Sequence, residues 1–314
     1  MKIVEPQVEL WKQEPTLEGA WHQIARATRV CYQSKPREGE SDEAFVNRVI
    51  LKPATRKDGS IDFDKCHGAM LEHGTIYLTV PDTDEITSAI RYMNNKYSKI
   101  MFGVIYGDKE NNYITTNMRV ILENGWQDDL QFICAPTHHA RRTTFSVITD
   151  IGVTRELNRH RINSIAEQST RYCTYSANKF GNEITYTYND FLINAMTYLN
   201  YGGFELGFDY FHKLCKDIAN NNESNITDKW TVDDYYLFGL LAAEFAYLGL
   251  KKNKVPNDIA RQLLNLNTKS QAIYTAFDDD WQHFIKLRAD NVSGKVHPNM
   301  KIIADKIKEL FNNK

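Results

Sequence analysis

The stretch RHRINSIAEQSTRY at residues 159–172 holds four side chains able to contact anions or rings, and one carboxylate. They are Arg159, His160, Arg161 and Arg171, with Glu167. Three adjacent cationic or potentially cationic residues repel one another unless an anion lies among them. Arginine also presents a planar fork of donors that suits phosphate and carbonyl groups. By itself the stretch predicts a phosphate or nucleotide site, and the alternative is an ordinary solvated helix face.

The residues just before this stretch predict how it is presented. Residues 145–149 alternate and are rich in β-branched side chains, which predicts a strand. Residues 150–152 interrupt that pattern, and we expect a short helix from its cap at Thr154 through about Asn163. On such a helix Arg155 and Arg159 are four residues apart and share one face.

The composition is that of an ordinary globular protein. The 314 residues are 42% hydrophobic and 25% charged, and the formal net charge is −2. This length can bury a sizeable core, in one large domain or two small ones. A near-neutral chain offers no global electrostatic support for a nucleic-acid partner. Any anion binding must therefore come from local clusters.

The cysteines and the first residues of the sequence indicate the cellular compartment. The five cysteines are scattered, odd in number and without a CxxC pair. This argues against a zinc site or a disulfide framework, so we expect reduced thiols. Residues 1–6 lack the apolar run of a signal peptide, and no segment approaches the roughly 20 apolar residues of a membrane span. The sequence thus predicts a cytoplasmic protein that is not in the membrane and holds no metal.

Periodicity predicts further elements along the chain. Leu17, Trp21 and Ile24 are spaced as one helical face. His73, at the end of a predicted helix that stops at Gly74, is interpreted as structural rather than as lining a site. Strands are expected at residues 76–80, 102–106 and 113–116, and helices at 84–97, 190–199, 204–219 and from a cap at Thr231.

The order of residues in the 159–172 stretch is more specific than its charge. Arg159-His160-Arg161, then seven residues, then Ser169 resembles the signature of the flavin-dependent thymidylate synthases. Glu167 and the pair at 171–172 also resemble that family. A match over many fixed positions is far more specific than a lone glycine-rich loop.

Segments in the C-terminal third resemble the same family. Residues 255–261, with a helix start at Pro256, are similar to a Pro-x-x-x-Ala-Arg run. Residues 284–290 look like the family's Leu-Arg segment, and His297-Pro298 resembles the helix start that follows it. In contrast, Phe277-Asp278-Asp279 stands where the family has an Asn-x-Arg that touches flavin. The resemblance has gaps across 33–63 and 81–135.

The resemblance implies roles for individual residues. Those implied for FAD are Arg159, His160, Arg161, Glu167, Cys31, His297, and His138 or His139. Those implied for the nucleotide are Glu156, Arg159, Glu167, Gln168, Ser169, Thr170, Arg171, Arg261 and Arg288. Arg288 would stabilise the ring anion and Ser169 would orient the pyrimidine, so these two are the predicted catalytic residues. Cys31 stands where the family often has Ser, and a buried small residue is the alternative there.

By the same resemblance, the reaction is methylation of dUMP to dTMP. The carbon would come from 5,10-methylenetetrahydrofolate and the hydride from FAD reduced by NADPH. The implied fold is α/β (α+β), a mixed central sheet wrapped by helices, in a single domain over 1–314 with an insertion around 81–135. The family assembles as a homotetramer with sites at subunit interfaces, so the same assembly is expected.

Two other classes of protein remain open. A thymidylate synthase of the cysteine-nucleophile type needs an activated thiol near an arginine, and Cys134 is the nearest candidate. Its apolar neighbours argue against a low thiol pKa. A non-catalytic nucleotide- or RNA-binding protein could use the same arginines, although the near-neutral charge and the lack of interleaved aromatic and basic residues speak against it.

Overall fold

The computed structural model describes residues 1–81, 87–106, 109–160, 163–171, 174–175, 183–187, 209–220, 230–292 and 294–314. The strands there are β1 (Lys2–Val4), β2 (Gln7–Trp11), β3 (Thr75–Pro81), β4 (Lys99–Tyr106), β5 (Lys109–Asn117), β6 (Arg142–Asp150), β7 (Ser164–Glu167), β8 (Thr185–Thr187) and β9 (Lys269–Phe277). The helices are α1 (Leu17–Tyr32), α2 (Asp42–Val46), α3 (Thr87–Met93), α4 (Met118–Asn124), α5 (Ile151–Leu157), α6 (209–220), α7 (Val232–Lys252), α8 (Asn257–Ala260), α9 (Asp278–Arg288) and α10 (Pro298–Asn312). The protein is α/β, as expected.

The described strands form three sheets rather than one mixed sheet. The largest has the order β2-β6-β9-β7, and each neighbouring pair in it is antiparallel. The second, β3-β5-β4, is an antiparallel sheet in which β4 and β5 come from the predicted insertion and β3 precedes it. The third is the parallel pair β1-β8. β5 lies between β3 and β4 and pairs with both, so the insertion extends β3 into a sheet separate from the four-stranded one.

The four-stranded sheet is covered on both faces. Along β9, Ile273 packs with the cluster that contains Ile24 of α1. Its neighbour Tyr274 packs on the opposite face with Trp281 of α9 and Ile303 of α10. A strand that is buried on both sides is apolar on both faces, and residues 272–277 of β9 are apolar except for Thr275.

Helix α1 carries the first predicted contact residue towards this sheet. Thr16 caps it, accepting from the backbone N–H of Gly19, and the helix ends before Gln33, which has a left-handed φ of 50°. Cys31 lies in the last turn, and its carbonyl accepts a hydrogen bond from the N–H of Ser169 at 3.0 Å. The predicted helix is therefore confirmed, and it reaches the 159–172 stretch.

His73 is structural, as the sequence interpretation held. Its side chain is fully buried, and Nδ1 lies 2.9 Å from Oγ1 of Thr275 in β9. Burial and, to a smaller extent, the charge of Arg142 lower the pKa of His73 to about 3. The expected helix here is a 3-10 helix, Gly68–His73, and Gly74 after it has a φ of −78°. A Cβ at Gly74 would lie 2.6 Å from the fully buried Ile24 side chain, which would have to shift to admit it.

Arg142 of β6 joins the start of β3 to the four-stranded sheet. Its Nη1 donates to the Glu72 carbonyl at 3.1 Å and to Oγ1 of Thr75 at 3.2 Å. Its Nη2 donates to Oγ of Ser164 in β7 at 3.2 Å. These hydrogen bonds connect the two sheets. That residues 1–314 form a single domain stays a prediction.

The other predicted elements are confirmed where the chain is described. The predicted insertion strands correspond to β3, β4 and β5, the expected helix at 84–97 to α3, and the helix at 204–219 to α6. Thr231 caps α7 in a reciprocal arrangement with Asp234. The expected helix at 190–199 lies outside the described residues. Among the described helices, none is both long enough and apolar enough to cross a membrane.

Candidate functional site

The helix before the 159–172 stretch begins earlier than predicted. Its cap is Asp150, whose carboxylate accepts from the backbone N–H of Val153 at 2.7 Å, and not Thr154. Aspartate directly after a strand satisfies the free N–H groups of the first helical turn well. The helix ends at Leu157 rather than near Asn163. Thr154 lies inside it and donates its hydroxyl to Glu167.

Glu167 occupies the end of a strand that the sequence reading missed. β7 pairs with β9, which brings Glu167 beside α5. Its carboxylate accepts from Thr154 Oγ1 at 2.7 Å, Asn158 Nδ2 at 3.2 Å and Ser270 Oγ at 2.8 Å. A carboxylate has about four acceptor positions. Glu167 therefore binds its own scaffold first and has little capacity left for a ligand.

Two adjoining clefts flank α5. The first cleft, about 670 Å³, is lined by Asp150, Gly152, Arg155, Glu156, Arg159, Tyr236, Leu266, Asn267, His297, Pro298 and Asn299. The second cleft, about 630 Å³, is lined by Cys31, Ile151, Arg155, Glu167, Gln168, Ser169, Thr170, Arg261, Gln262, Leu264, Leu266, Lys269 and Ser270. Most of the predicted site residues in the described chain thus lie in one region.

The first cleft joins Arg159, Glu156 and His297 from the sequence prediction with Arg155, which the prediction did not select. Their signal was present, because Arg155 and Arg159 share a helix face at a spacing of four. In the described residues, neither guanidinium forms an ion pair with a carboxylate. Two guanidinium groups on one helix face can each donate paired hydrogen bonds to a diphosphate. This donor set therefore fits a flavin dinucleotide. Arg161 lies outside the described residues.

Arg288 lies at the end of α9 against α5. Its Nη1 is 3.6 Å from Oε2 of Glu156, which lines the first cleft. Its Nε donates to Nε2 of His160 at 3.5 Å. The guanidinium is about one quarter exposed, at 23%. The structure therefore brings together three predicted residues from two distant segments, and Arg288 keeps donors that are free to turn towards a ligand.

His160 is neutral in this arrangement. Its ring meets Phe284 edge to face, with 5.0 Å between ring centroids. Burial, together with the charges of Arg288 and His283, lowers the pKa of His160 to about 4. A neutral ring can accept the Arg288 bond at Nε2. The central residue of the Arg-His-Arg run thus adds no positive charge near neutral pH, and repulsion within the run is smaller than the sequence suggests.

Arg171 and Arg261 meet at Asp258. Nε of Arg171 is 3.4 Å from Oδ1 of Asp258, and Nε of Arg261 is 4.0 Å from the same oxygen. Asn257 donates to the carbonyl of Arg171 at 3.1 Å. The two arginines are 59% and 44% exposed, so a stronger anion can compete with Asp258 for them. Arg261 also lines the second cleft.

The second cleft is lined by residues 167–170 of the stretch and by Cys31. Gln168 is buried, and its side-chain oxygen accepts from Nζ of Lys269 at 2.9 Å. Ser169 and Thr170 line the cleft beside it. Cys31 therefore lies with the predicted nucleotide residues and not with Arg159. Sequence reasoning missed Lys269, because only the pairing of β7 with β9 brings it to Gln168.

His138 and His139 lie against the insertion sheet. His139 is buried, with Nε2 2.9 Å from the Leu78 carbonyl, and burial lowers its pKa. Both rings meet Tyr113 edge to face at 5.1 Å. Neither histidine lines the two clefts beside α5. A flavin contact by either one stays a prediction.

The segment that replaces the family's Asn-x-Arg is used within the chain. Asp278 accepts from Oγ1 of Thr143 at 2.6 Å and from Nζ of Lys314 at 2.6 Å. Asp279 pairs with Lys99 at 3.1 Å. Flavin contacts from this segment are not supported.

Among the described residues, none is placed to act as a base towards Cys134. Its sulfur is 3.0 Å from Oγ1 of Thr79 and 3.8 Å from Nε2 of His139. That nitrogen is also 2.9 Å from the Leu78 carbonyl, which can only accept. Nε2 must therefore carry the proton, and His139 cannot take the proton of the thiol. The surroundings of Cys134 do not support a cysteine-nucleophile enzyme.

Structural comparison finds similar solved proteins of low identity. A UMP/dUMP methylase PolB from Streptomyces cacaoi bound with 5-Br dUMP is 14% identical, with a TM-score of 0.41, over 100% of this chain and 93% of that chain. The same methylase with 5-Br UMP is 16% identical, with a TM-score of 0.42, over 100% and 92%. Thymidylate Synthase X (ThyX) from Helicobacter pylori with FAD and dUMP is 15% identical, with a TM-score of 0.37, over 97% and 92%. All three TM-scores lie below 0.5.

Sequence comparison is decisive for the family. No curated protein matches the chain. The family profile described as thymidylate synthase complementing protein, Thy1, matches residues 133–314, which is more than half of the chain. The matched segment contains the 159–172 stretch, α5, β9, α9 and the walls of the first cleft. The chain therefore belongs to the Thy1 family, the flavin-dependent thymidylate synthases.

Proposed function

We propose that the protein methylates dUMP to dTMP, with 5,10-methylenetetrahydrofolate as carbon donor and NADPH-reduced FAD as hydride source. The observation that carries this proposal is a single one. Arg159, His160, residues 167–170, Arg261 and Arg288 lie around α5 and two adjoining clefts, in a chain of the Thy1 family. The grouping matches the chemistry required, since a nucleotide and a flavin must be held side by side.

The nucleotide requires cations for its phosphate and a donor for its ring. Arg171 and Arg261 exchange their shared partner Asp258 for the phosphate, which carries more charge. Arg288 donates to the uracil carbonyl and stabilises the negative charge that develops when carbon 5 becomes nucleophilic. Glu156 keeps the Arg288 fork oriented, and Ser169 positions the pyrimidine.

The flavin requires cations for its diphosphate and space for its ring. Arg155 and Arg159 hold the diphosphate in the first cleft, and the neutral His160 leaves the flavin region without an extra charge. When bound, reduced FAD supplies the hydride, and the side chains supply binding and orientation. The family's assembly implies a homotetramer with shared sites, which size-exclusion chromatography with light scattering would test.

The test is a spectrum followed by an assay. Purified protein should show bound flavin, or bind added FAD, in the visible range. NADPH should bleach it, and NADPH oxidation should depend on dUMP and yield dTMP once methylenetetrahydrofolate is added. UMP in place of dUMP measures tolerance of the ribose 2′-hydroxyl. A protein that binds no FAD and oxidises no NADPH, but binds RNA in a salt-sensitive manner, would favour the non-catalytic alternative.

A further inference from the structure

Lys269 is a cation in the second cleft that neither the motif nor the proposed chemistry uses. It is the first residue of β9, and its ammonium donates to the side-chain oxygen of Gln168 at 2.9 Å. It lines the second cleft together with Ser169, Thr170 and Arg261. The ammonium therefore lies beside residues proposed to hold the nucleotide.

The environment of Lys269 is costly for a charged group. The side chain is half-buried, and within the described residues it forms no ion pair with a carboxylate. Burial, and then the charge of Lys2, lower the pKa of Lys269 to about 8. A partly desolvated cation whose partner is a neutral amide is unfavourable unless an anion joins it. The site is thus built for a ligand of negative charge.

The charged groups around Lys269 are mostly positive. On the second-cleft side they are Arg155, Arg261 and Glu167. On its other side, a cavity of about 340 Å³ is lined by Lys2, Glu183 and Tyr175 among others. Glu167 already accepts three hydrogen bonds from its scaffold. The second cleft therefore presents three cations against one committed carboxylate.

We propose that Lys269 binds the phosphate of the uracil nucleotide as a third cation, beside Arg171 and Arg261. This inference rests on the proposed function. A compact ammonium suits a phosphate oxygen as a point charge, whereas the arginines contribute forks. The buried Gln168 accepts the hydrogen bond that holds the ammonium towards the cleft, which gives this residue of the motif a positioning role.

Binding measurements at pH 7 test the inference. We expect Lys269→Gln to raise the Kd for dUMP by about tenfold or more, since a charge-assisted contact is lost. The Kd for deoxyuridine, which lacks the phosphate, should stay unchanged. Lys269→Arg should keep most of the affinity. Lys301→Gln, in α10 and outside both clefts, serves as the control for loss of a lysine elsewhere.

The pH dependence provides a readout that a structural role would not produce. The affinity of the wild-type protein for dUMP should fall above about pH 8, as the ammonium loses its proton. Lys269→Gln should lack that fall. Lys2→Gln removes a charge that repels the Lys269 ammonium, so the loss of affinity for dUMP should begin at a higher pH. A folding defect would not extend binding to higher pH, so the two effects can be told apart.

The outcomes separate the two proposals. A wild-type protein that binds no dUMP contradicts the proposed function and this inference together. A wild-type protein that binds dUMP, with an unchanged Kd in Lys269→Gln, overturns only the inference. Equal losses for dUMP and deoxyuridine in Lys269→Gln also overturn it, since the lysine would then not read the phosphate.

Discussion

At the scale of single residues, Arg288 is where the proposed chemistry depends most on one side chain. It lies 3.6 Å from Glu156 and 3.5 Å from His160, so its guanidinium is already oriented before a ligand binds. Preorganised donors of this kind are effective because they need no rearrangement when charge develops.

Removal of Arg288 should therefore affect turnover more than binding. We expect Arg288→Ala to lower kcat by about a hundredfold or more, with a smaller change in the Kd for dUMP. Steady-state assays and dUMP titrations measure the two separately. Arg141→Ala, an exposed arginine outside both clefts, is the control. Near wild-type turnover in Arg288→Ala would contradict the assigned role.

Glu167 should prove to be a scaffold residue as much as a ligand contact. Glu167→Gln replaces an acceptor with a group that points an N–H₂ at the donors Thr154 or Ser270. We expect the free energy of unfolding to fall by about 1–3 kcal/mol. Urea unfolding measures this, with the exposed Glu309 of α10, changed to Gln, as control. Unchanged stability combined with lost FAD binding would assign Glu167 to the cofactor instead.

At the scale of elements, α1 is constrained where it enters the core. A Cβ on Gly19 would lie 2.1 Å from the backbone oxygen of Glu14, a contact that no side-chain rotation can relieve. The chain before α1 folds back against its first turn, and only glycine permits that approach. Because α1 carries Cys31 to the second cleft, its start influences the site.

Two glycine substitutions in helices should have opposite effects. Gly19→Ala should lower the free energy of unfolding by more than about 2 kcal/mol, because backbone must move. Gly249→Ala in α7 meets nothing within 4 Å and should raise it by up to about 1 kcal/mol through helix propensity. Thermal unfolding followed by circular dichroism checks both. Equal effects would mean that the approach at Gly19 is not tight.

At the scale of the whole molecule, buried histidines set the response to acid. The folded-state pKa is lowered to about 3 for His73 and to about 4 for His160. The unfolded chain, with a histidine pKa of about 6.5, binds more protons below that pH. Stability is therefore present above about pH 6.5 and is lost as the pH falls towards the folded-state values.

His73 should contribute one full proton to this loss, since it is fully buried against Thr275 of β9. We expect the free energy of unfolding to drop by as much as roughly 1.4 kcal/mol per pH unit for this proton. His73→Gln should be less stable at pH 7 but should show a shallower slope between pH 6.5 and 5 in urea titrations. Identical slopes in the wild-type protein and His73→Gln would contradict the assignment.

Local order in the sequence determined much of this protein. The spacing of Arg159, His160 and Ser169, the cap at Thr231, and the apolar periods of α1 and β6 depend on neighbours within a few residues, so they can be read without coordinates. The prediction of Thr154 as the N-cap of α5 was wrong. Threonine and aspartate are both favoured as N-caps, and which of Thr154 and Asp150 caps the helix depends on where β6 ends.

Tertiary structure decided what depends on residues distant in the chain. The pairing of β7 with β9 gives Glu167 its partners and brings Lys269 to Gln168. Folding also joins Arg171 to Arg261 through Asp258. His160 is likewise neutral because burial and the charge of Arg288 lower its pKa. The sequence determined which chemical groups are present, whereas contacts and desolvation, which exist only in the fold, determined their charge and their neighbours.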